Sequence, residues 1–155
     1  MPVAKLKEFL DKEGVKYVTI HHSPAFTAQE VAASAHVSGR EMAKVVMVKL
    51  DGQMAMAVVP ANHRIDMDVL ARALDVHNAE LASESEFKGS FPQCDLGAMP
   101  PFGNLYHMDV FVEEDLSREE SIAFNAGSHT EVVKMSFADF EHLVKPRYFK
   151  SGGNE

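Results

Sequence analysis

The chain of 155 residues contains one cysteine, Cys94, and no tryptophan. A single thiol cannot close an intrachain disulfide, so stability must come from burial, and a reducing compartment is expected. Long apolar runs are also missing. Nothing approaches the roughly 20 residues needed to span a bilayer. The opening "MPVAKLKEFLDKEG" is charged from Lys5 onward and has no apolar signal-peptide stretch. The expectation is a soluble, cytoplasmic protein with no membrane contact. Positive charge is scarce: 15 Lys and Arg stand against 23 Asp and Glu, a formal charge of -8. This excludes the broad basic surface that binds nucleic acid by neutralising phosphates, but not a small local footprint. Several signatures of catalysis are absent. There is no HExxH and no Cys/His set with structural-zinc spacing. There is no Gly-x-Ser-x-Gly elbow, and no Walker A or Rossmann glycine pattern. No cofactor and no metal are expected.

What is present reads as one mixed α/β domain over residues 1–150, followed by a frayed tail at 151–155. Hydrophobic residues make up 46% of the chain, enough for one core at this length. Val3, Leu6, Phe9 and Leu10 share a helical face that Gly14 ends. "VKYVTIHH" reads as a strand closed by Pro24. Thr27 and Glu30 have capping-box spacing ahead of a helix expected to run through "AQEVAASAHV". "GREMAKVVMVKLDGQMAMAVVP" reads as a hairpin around a type I′ Asp51-Gly52 turn. Its register places Leu50 opposite Gln53, Val48 opposite Ala55, Val46 opposite Ala57 and Lys44 opposite Val59. Both faces are apolar, so the hairpin belongs at the centre of a covered sheet. Asp66 caps a helix from Met67 to about Leu74, and Ser83 with Glu86 caps a shorter one. "LYHMDVFV", "SIAFNAG" and "TEVVKM" read as strands, the last two joined at Gly127-Ser128. Ser136 caps a helix whose apolar face is Phe137, Phe140, Leu143 and Val144. The picture is a single hairpin-rich mixed sheet with short flanking helices.

Two features break the pattern of burial. Lys44 shares a face with Val46, Val48 and Leu50. Either its stem snorkels over the core, or its ammonium anchors a phosphate or carboxylate at a pocket mouth. Lys49, near the turn, reads as ordinary solvation. The second feature is the irregular stretch at residues 89–104, with Gly89, Gly97, Gly103, Pro92, Pro100 and Pro101. A loop of this length in a compact domain needs a reason, and function is one. Gly97 permits a close approach or an unusual φ, and exposed N–H groups there could meet a developing oxyanion. A merely structural turn fits the same residues. Among eight histidines, His21-His22 and His129 lie beside turns and stay eligible as pocket residues. "PANHRIDMD" adds Asn62, His63 and Asp68 to the capping Asp66. Cys94, within the long loop, is a weak candidate nucleophile.

The segments "HHSPAFTAQEVA", "GREMAKVVMVK", "MAVVPANHRID", "GAMPPFG" and "FNAGSHTEVVKM", taken in order, resemble the YbaK/ProX family. These are aminoacyl-tRNA deacylases related to the editing insertion of bacterial prolyl-tRNA synthetase. The resemblance implies a compact YbaK-like domain that hydrolyses mischarged tRNA in trans. It implies that Lys44 contacts a phosphate of the acceptor end. It also implies that the Gly97–Pro101 backbone brackets the ester, and that His129 has a role near the reaction. The inferred catalytic set is Lys44, Gly97 and His129. The inferred substrate-binding set is His22, Ala98, Met99, Pro100, Pro101, Phe102 and Gly103, with the Ala55/Ala57 face as a further candidate. Alanyl-tRNA for proline is the first expected substrate. Cysteinyl-tRNA is the second, disfavoured because Val45 follows Lys44 where cysteine-specific members commonly have Thr. Other expected partners are a synthetase or elongation factor, with the chain monomeric or homodimeric. A non-catalytic aminoacyl-tRNA or nucleotide-binding module is the competing reading, favoured if Met99 or Phe102 blocks the pocket. An unrelated small-molecule hydrolase is the third.

Overall fold

The computed structural model describes residues 4–150; Val3 and the tail expected to fray lie outside them. Helix α1 (Ala4–Glu13) buries Leu6 and Leu10 and ends at Gly14, whose φ is 71°. It leads to β1 (Tyr17–His21) and then α2 (Ala28–Ser34). At the head of α2 the expected capping box is formed: Glu30 N–H donates to Thr27 Oγ1 at 3.1 Å, and Thr27 N–H to Glu30 Oε1 at 3.1 Å. The helix stops earlier than its alanines suggested. His36 takes a φ of 58°, and Val37 N–H bonds back to Ala32 O at 2.9 Å. Burying Val37 after a left-handed residue is a common way to close a helix.

Strands β2 (Ala43–Leu50) and β3 (Gln53–Pro60) form the hairpin in the expected register, Lys44 opposite Val59 included. Asp51 and Gly52 have φ values of 49° and 86°, the left-handed pair that a type I′ turn needs. Both faces are covered. Met47, Met56 and Val58 join the main core around Phe102, Phe124 and Phe140. Val48, Ala57 and Val59 join a second cluster with Leu70, Phe111 and Phe149. Asp66 caps α3 (Met67–Ala73). After β4 (Ala79–Leu81) comes α4 (Glu84–Phe87). The remaining elements are β5 (Asp109–Glu113), β6 (Ser121–Asn125), β7 (Glu131–Ser136), α5 (Phe137–Val144) and β8 (Arg147–Phe149).

The strands divide between two sheets where one was expected. Five run in the order β4-β2-β3-β5-β8 and three in the order β1-β7-β6. An isolated parallel bridge, Met42 to Ala123, joins them, with Ala123 N–H donating to Glu41 O at 3.0 Å. A third cluster packs here under α2, including Val31, Ala32, Met42, Ala61 and Val132. "LYHMDVFV" becomes a strand only at Asp109. Residues Gly103–Leu105 form a 3-10 turn, and both Tyr106 N–H and Met108 N–H fold back onto Gly103 O.

Lys49 is not merely solvated: its ammonium bridges Glu80 and Glu86. That contact, with the Ser83 N–H next in importance, holds the Glu86 carboxyl at about 2. A carboxyl depressed on folding adds stability that is present above its ordinary value of about 4.3 and fades as pH falls toward 2. The expected result is a native-state Glu86 midpoint near 2 by NMR titration, returning toward the ordinary carboxylate range in Lys49→Met.

Candidate functional site

Lys44 stands where the clusters under α2 and beside the hairpin meet. Two residues before it, Met42 packs under α2; four residues after it, Val48 packs in the hairpin cluster. The half-buried Lys44 lines a cavity of about 340 Å³. Thr27, Ala28 and Gln29 form one wall, and Ala61 through Arg64 the other. Its strand neighbours are core, and the residue itself borders this cavity. Three other lysines have partners away from this cavity. Lys7 pairs with Asp11 at 2.7 Å and Lys134 with Glu41 at 3.7 Å. Lys5 lies 5.0 Å from the Tyr106 ring centre.

The Gly97 loop and the turn between β6 and β7 are tied together. Gly127 N–H donates to Ala98 O at 2.9 Å, and Asp95 N–H to Gly127 O at 2.8 Å. His129 N–H reaches Asp95 Oδ2 at 3.3 Å. Gly97 is exposed, with a φ of 87°, and a Cβ there would lie 3.7 Å from His129 Cε1. Its N–H makes no hydrogen bond among the described residues. The segment after β1 closes over this pair. His22 N–H donates to Thr130 O and Ala25 N–H to His129 O. The Phe26 ring, 69% exposed, leans on the His129 ring in a tilted contact with centroids 4.7 Å apart. Thr27, its neighbour, already borders the Lys44 cavity. Segment 22–29 therefore links Lys44 to the Gly97–His129 pair.

The histidine tautomers follow from their partners. His129 Nε2 faces Leu96 O at 3.0 Å; a carbonyl only accepts, so Nε2 carries the proton and Nδ1 the lone pair. By the same logic His22 Nδ1–H donates to Ser23 O at 2.7 Å, leaving Nε2 as an acceptor. His129 Nδ1, His22 Nε2, Asn62 Oδ1 and Asn125 Oδ1 are all buried with no hydrogen-bond partner among the described residues. Each such acceptor costs about 1–3 kcal/mol when left unmet.

Several expected site residues have other work. Met99 and Phe102 are buried in the main core, Phe102 in ring contact with Phe9, Phe124 and Phe140. They neither shape nor block the Lys44 cavity. Ala55 and Ala57 are likewise core. Ala98, Pro100, Pro101 and Gly103 are buried, so what this loop can present is chiefly backbone near Gly97. Cys94 sits 3.7 Å from Tyr106 Oη, and burial pushes its thiol pKa up, which makes it a poor nucleophile. His63, Glu113 and Asp115 form a group that could hold a metal ion. Asp115 is already paired with Arg118 at 2.8 Å. Phe26 and Asn125 went unremarked in the sequence. Asn125 left a readable signal, a polar residue interrupting the apolar "SIAF".

The profile of the aminoacyl-tRNA editing domain family matches residues 22–143. The multifunctional Ser/Thr-tRNA deacylase ProXp-y of Escherichia coli K12 is 27% identical over 149 residues, covering 92% of this chain and 87% of that protein. The prolyl-tRNA editing protein ProX of Acetoanaerobium sticklandii is 22% identical over 142 residues, covering 88% and 86%. A solved structure described as a candidate trans-editing enzyme for prolyl tRNA synthetase superposes with a TM-score of 0.79 at 17% identity, covering 96% of each chain. Among the described residues no helix is long and apolar enough to cross a membrane.

Proposed function

Because the chain belongs to the aminoacyl-tRNA editing domain family, we propose that it hydrolyses the ester of mischarged tRNA in trans, with alanyl-tRNA for proline as its first substrate. The observation that carries this reading is Lys44 beside a cavity at the seam of two sheets, linked through segment 22–29 to an exposed glycine loop and His129. In this reading Lys44 grips a phosphate of the acceptor end and orients the terminal adenosine. Gly97 N–H, on an exposed turn whose left-handed φ glycine adopts freely, meets the negative charge that develops on the carbonyl oxygen. His129 Nδ1, a lone-pair acceptor next to Gly97, orients the attacking water. No side-chain nucleophile is required when water is positioned and the carbonyl polarised. The neighbouring ribose hydroxyl of the substrate is placed to assist.

Ala28 and Ala61 line the cavity, and small walls favour a small amino acid. One methylene is worth only about 1–3 kcal/mol of discrimination, so serine, threonine and cysteine are the natural competitors. The Escherichia coli relative's name makes seryl- and threonyl-tRNA the second reading. With Lys44 and Arg64 the cations at this cavity, the footprint is the acceptor end. A synthetase or elongation factor in the cytoplasm would supply the rest of the grip. The test is hydrolysis of tRNA for proline charged with alanine, cysteine, serine, threonine or proline. Alanyl-tRNA is expected to turn over fastest and prolyl-tRNA slowest. Binding without turnover across the panel would overturn the reading in favour of a binding module.

A further inference from the structure

Every buried polar atom singled out near this site is an acceptor, and their arrangement is not scattered. Ala123 and Asn125 lie two apart on β6 and therefore share a face; Ala123 packs under α2. Asn125 pairs in register with Val132, and Val132 with Ile20 on its other side. His22 follows two residues after Ile20 and continues that ladder through its N–H to Thr130 O. Asn125 and His22 thus belong to one end of the sheet face that α2 covers. The parallel bridge adds the third member. Met42 meets Ala123, so two residues on, Lys44 and Asn125 hold corresponding register positions on the diverging strands.

We propose that Asn125 Oδ1 and His22 Nε2 form an acceptor pair that takes the α-amino group of the aminoacyl moiety, beside Lys44. The proposal rests on the deacylase reading above. It follows from charge and hydrogen-bond type: lone pairs call for a donor, and an amino group donates in either protonation state. Phosphates and carboxylates, acceptors themselves, are refused by this pair and left to the ammonium of Lys44. The two ends of the substrate are sorted by the sign of what they meet.

The test compares alanyl-tRNA with propionyl-tRNA, which lacks the amino group, for wild type, Asn125→Leu and Asn125→Asp. The ratio of the two kcat/KM values removes the intrinsic difference in ester reactivity when enzymes are compared. Asn125→Leu is expected to lower this ratio about tenfold, the size of one net hydrogen bond. Asn125→Asp, which keeps the acceptor, is expected to hold or raise it. N-acetylalanyl-tRNA should be a poor substrate for wild type. An equal loss on alanyl- and propionyl-tRNA in Asn125→Leu, or a collapsed ratio in Asn125→Asp, would overturn the assignment while leaving deacylation standing. A wild type that cleaves none of the three esters overturns the deacylase reading and this one with it.

Discussion

Lys44→Ala is expected to lower kcat/KM for deacylation about 100-fold without unfolding the protein. A hydrogen bond to a charged group is worth about 1.5–3 kcal/mol, which spans roughly 10- to 150-fold in rate. The upper part of that range applies because one wall of the contact is low-dielectric protein: Val46 and Val48 follow on the same face and pack into a core cluster. The loss should appear at saturating as well as limiting tRNA if the phosphate contact also orients the ester. Lys44→Arg should recover little, since a planar fork does not reproduce a compact point charge on a flexible stem. The check is single-turnover hydrolysis of alanyl-tRNA for proline, with circular dichroism to confirm the fold. Unchanged turnover in a folded Lys44→Ala would remove the lysine from the mechanism and leave the ester chemistry to the Gly97–His129 side.

Gly103→Ala is expected to produce the largest loss of stability. A Cβ at Gly103 would stand 2.4 Å from Met108 O and 2.6 Å from Val110 Cγ2. The first of these is backbone and cannot rotate away. The same carbonyl-rich turn holds Tyr106 N–H and Met108 N–H on Gly103 O, so relief would mean giving up hydrogen bonds. A loss of more than ~3 kcal/mol is expected, seen as a fall in Tm of about 10 °C. Gly97→Ala provides the contrast. There the Cβ would make only an ordinary 3.7 Å contact, and the left-handed φ costs about 1–2 kcal/mol. If Gly103→Ala melted with the wild type, the close packing at that turn would be wrong.

The hairpin was legible down to its register because two local rules agreed: Asp-Gly fixes the turn, and alternation fixes which residues face together. The capping boxes were legible for the same reason, being closed within three residues. The long loop was not. "GAMPPFG" has the composition of a surface turn, yet Met99 and Phe102 are drawn into the main core by Phe9, Phe124 and Phe140. Those partners are remote in sequence, and no local pattern announces them. Edge strands β4 and β8 are three residues each, too short for alternation to stand out. Lys44 was identified by its oddity among apolar neighbours. The glycine loop stood out by its length and composition and His129 by its place beside a turn, while the roles expected of them came from the resemblance. Asn125 needed the bridge between sheets, since only that register sets it across from Lys44.

That bridge sets how the two halves of the site are spaced. Lys44 rides on the five-stranded sheet, while Asn125 and the turn bearing His129 hang from the three-stranded one. The sheets touch edge to edge at Met42 and Ala123, both fully buried. Both side chains pack into the cluster under α2, so this seam works as a hinge pin whose fit against that helix sets how firmly the two sheets are held. A methyl group added at Ala123 would press on the α2 packing and through it on segment 22–29, which lies between Lys44 and the Gly97–His129 pair. The spacing of the candidate site is thus open to tuning from a position that lines no part of its cavity.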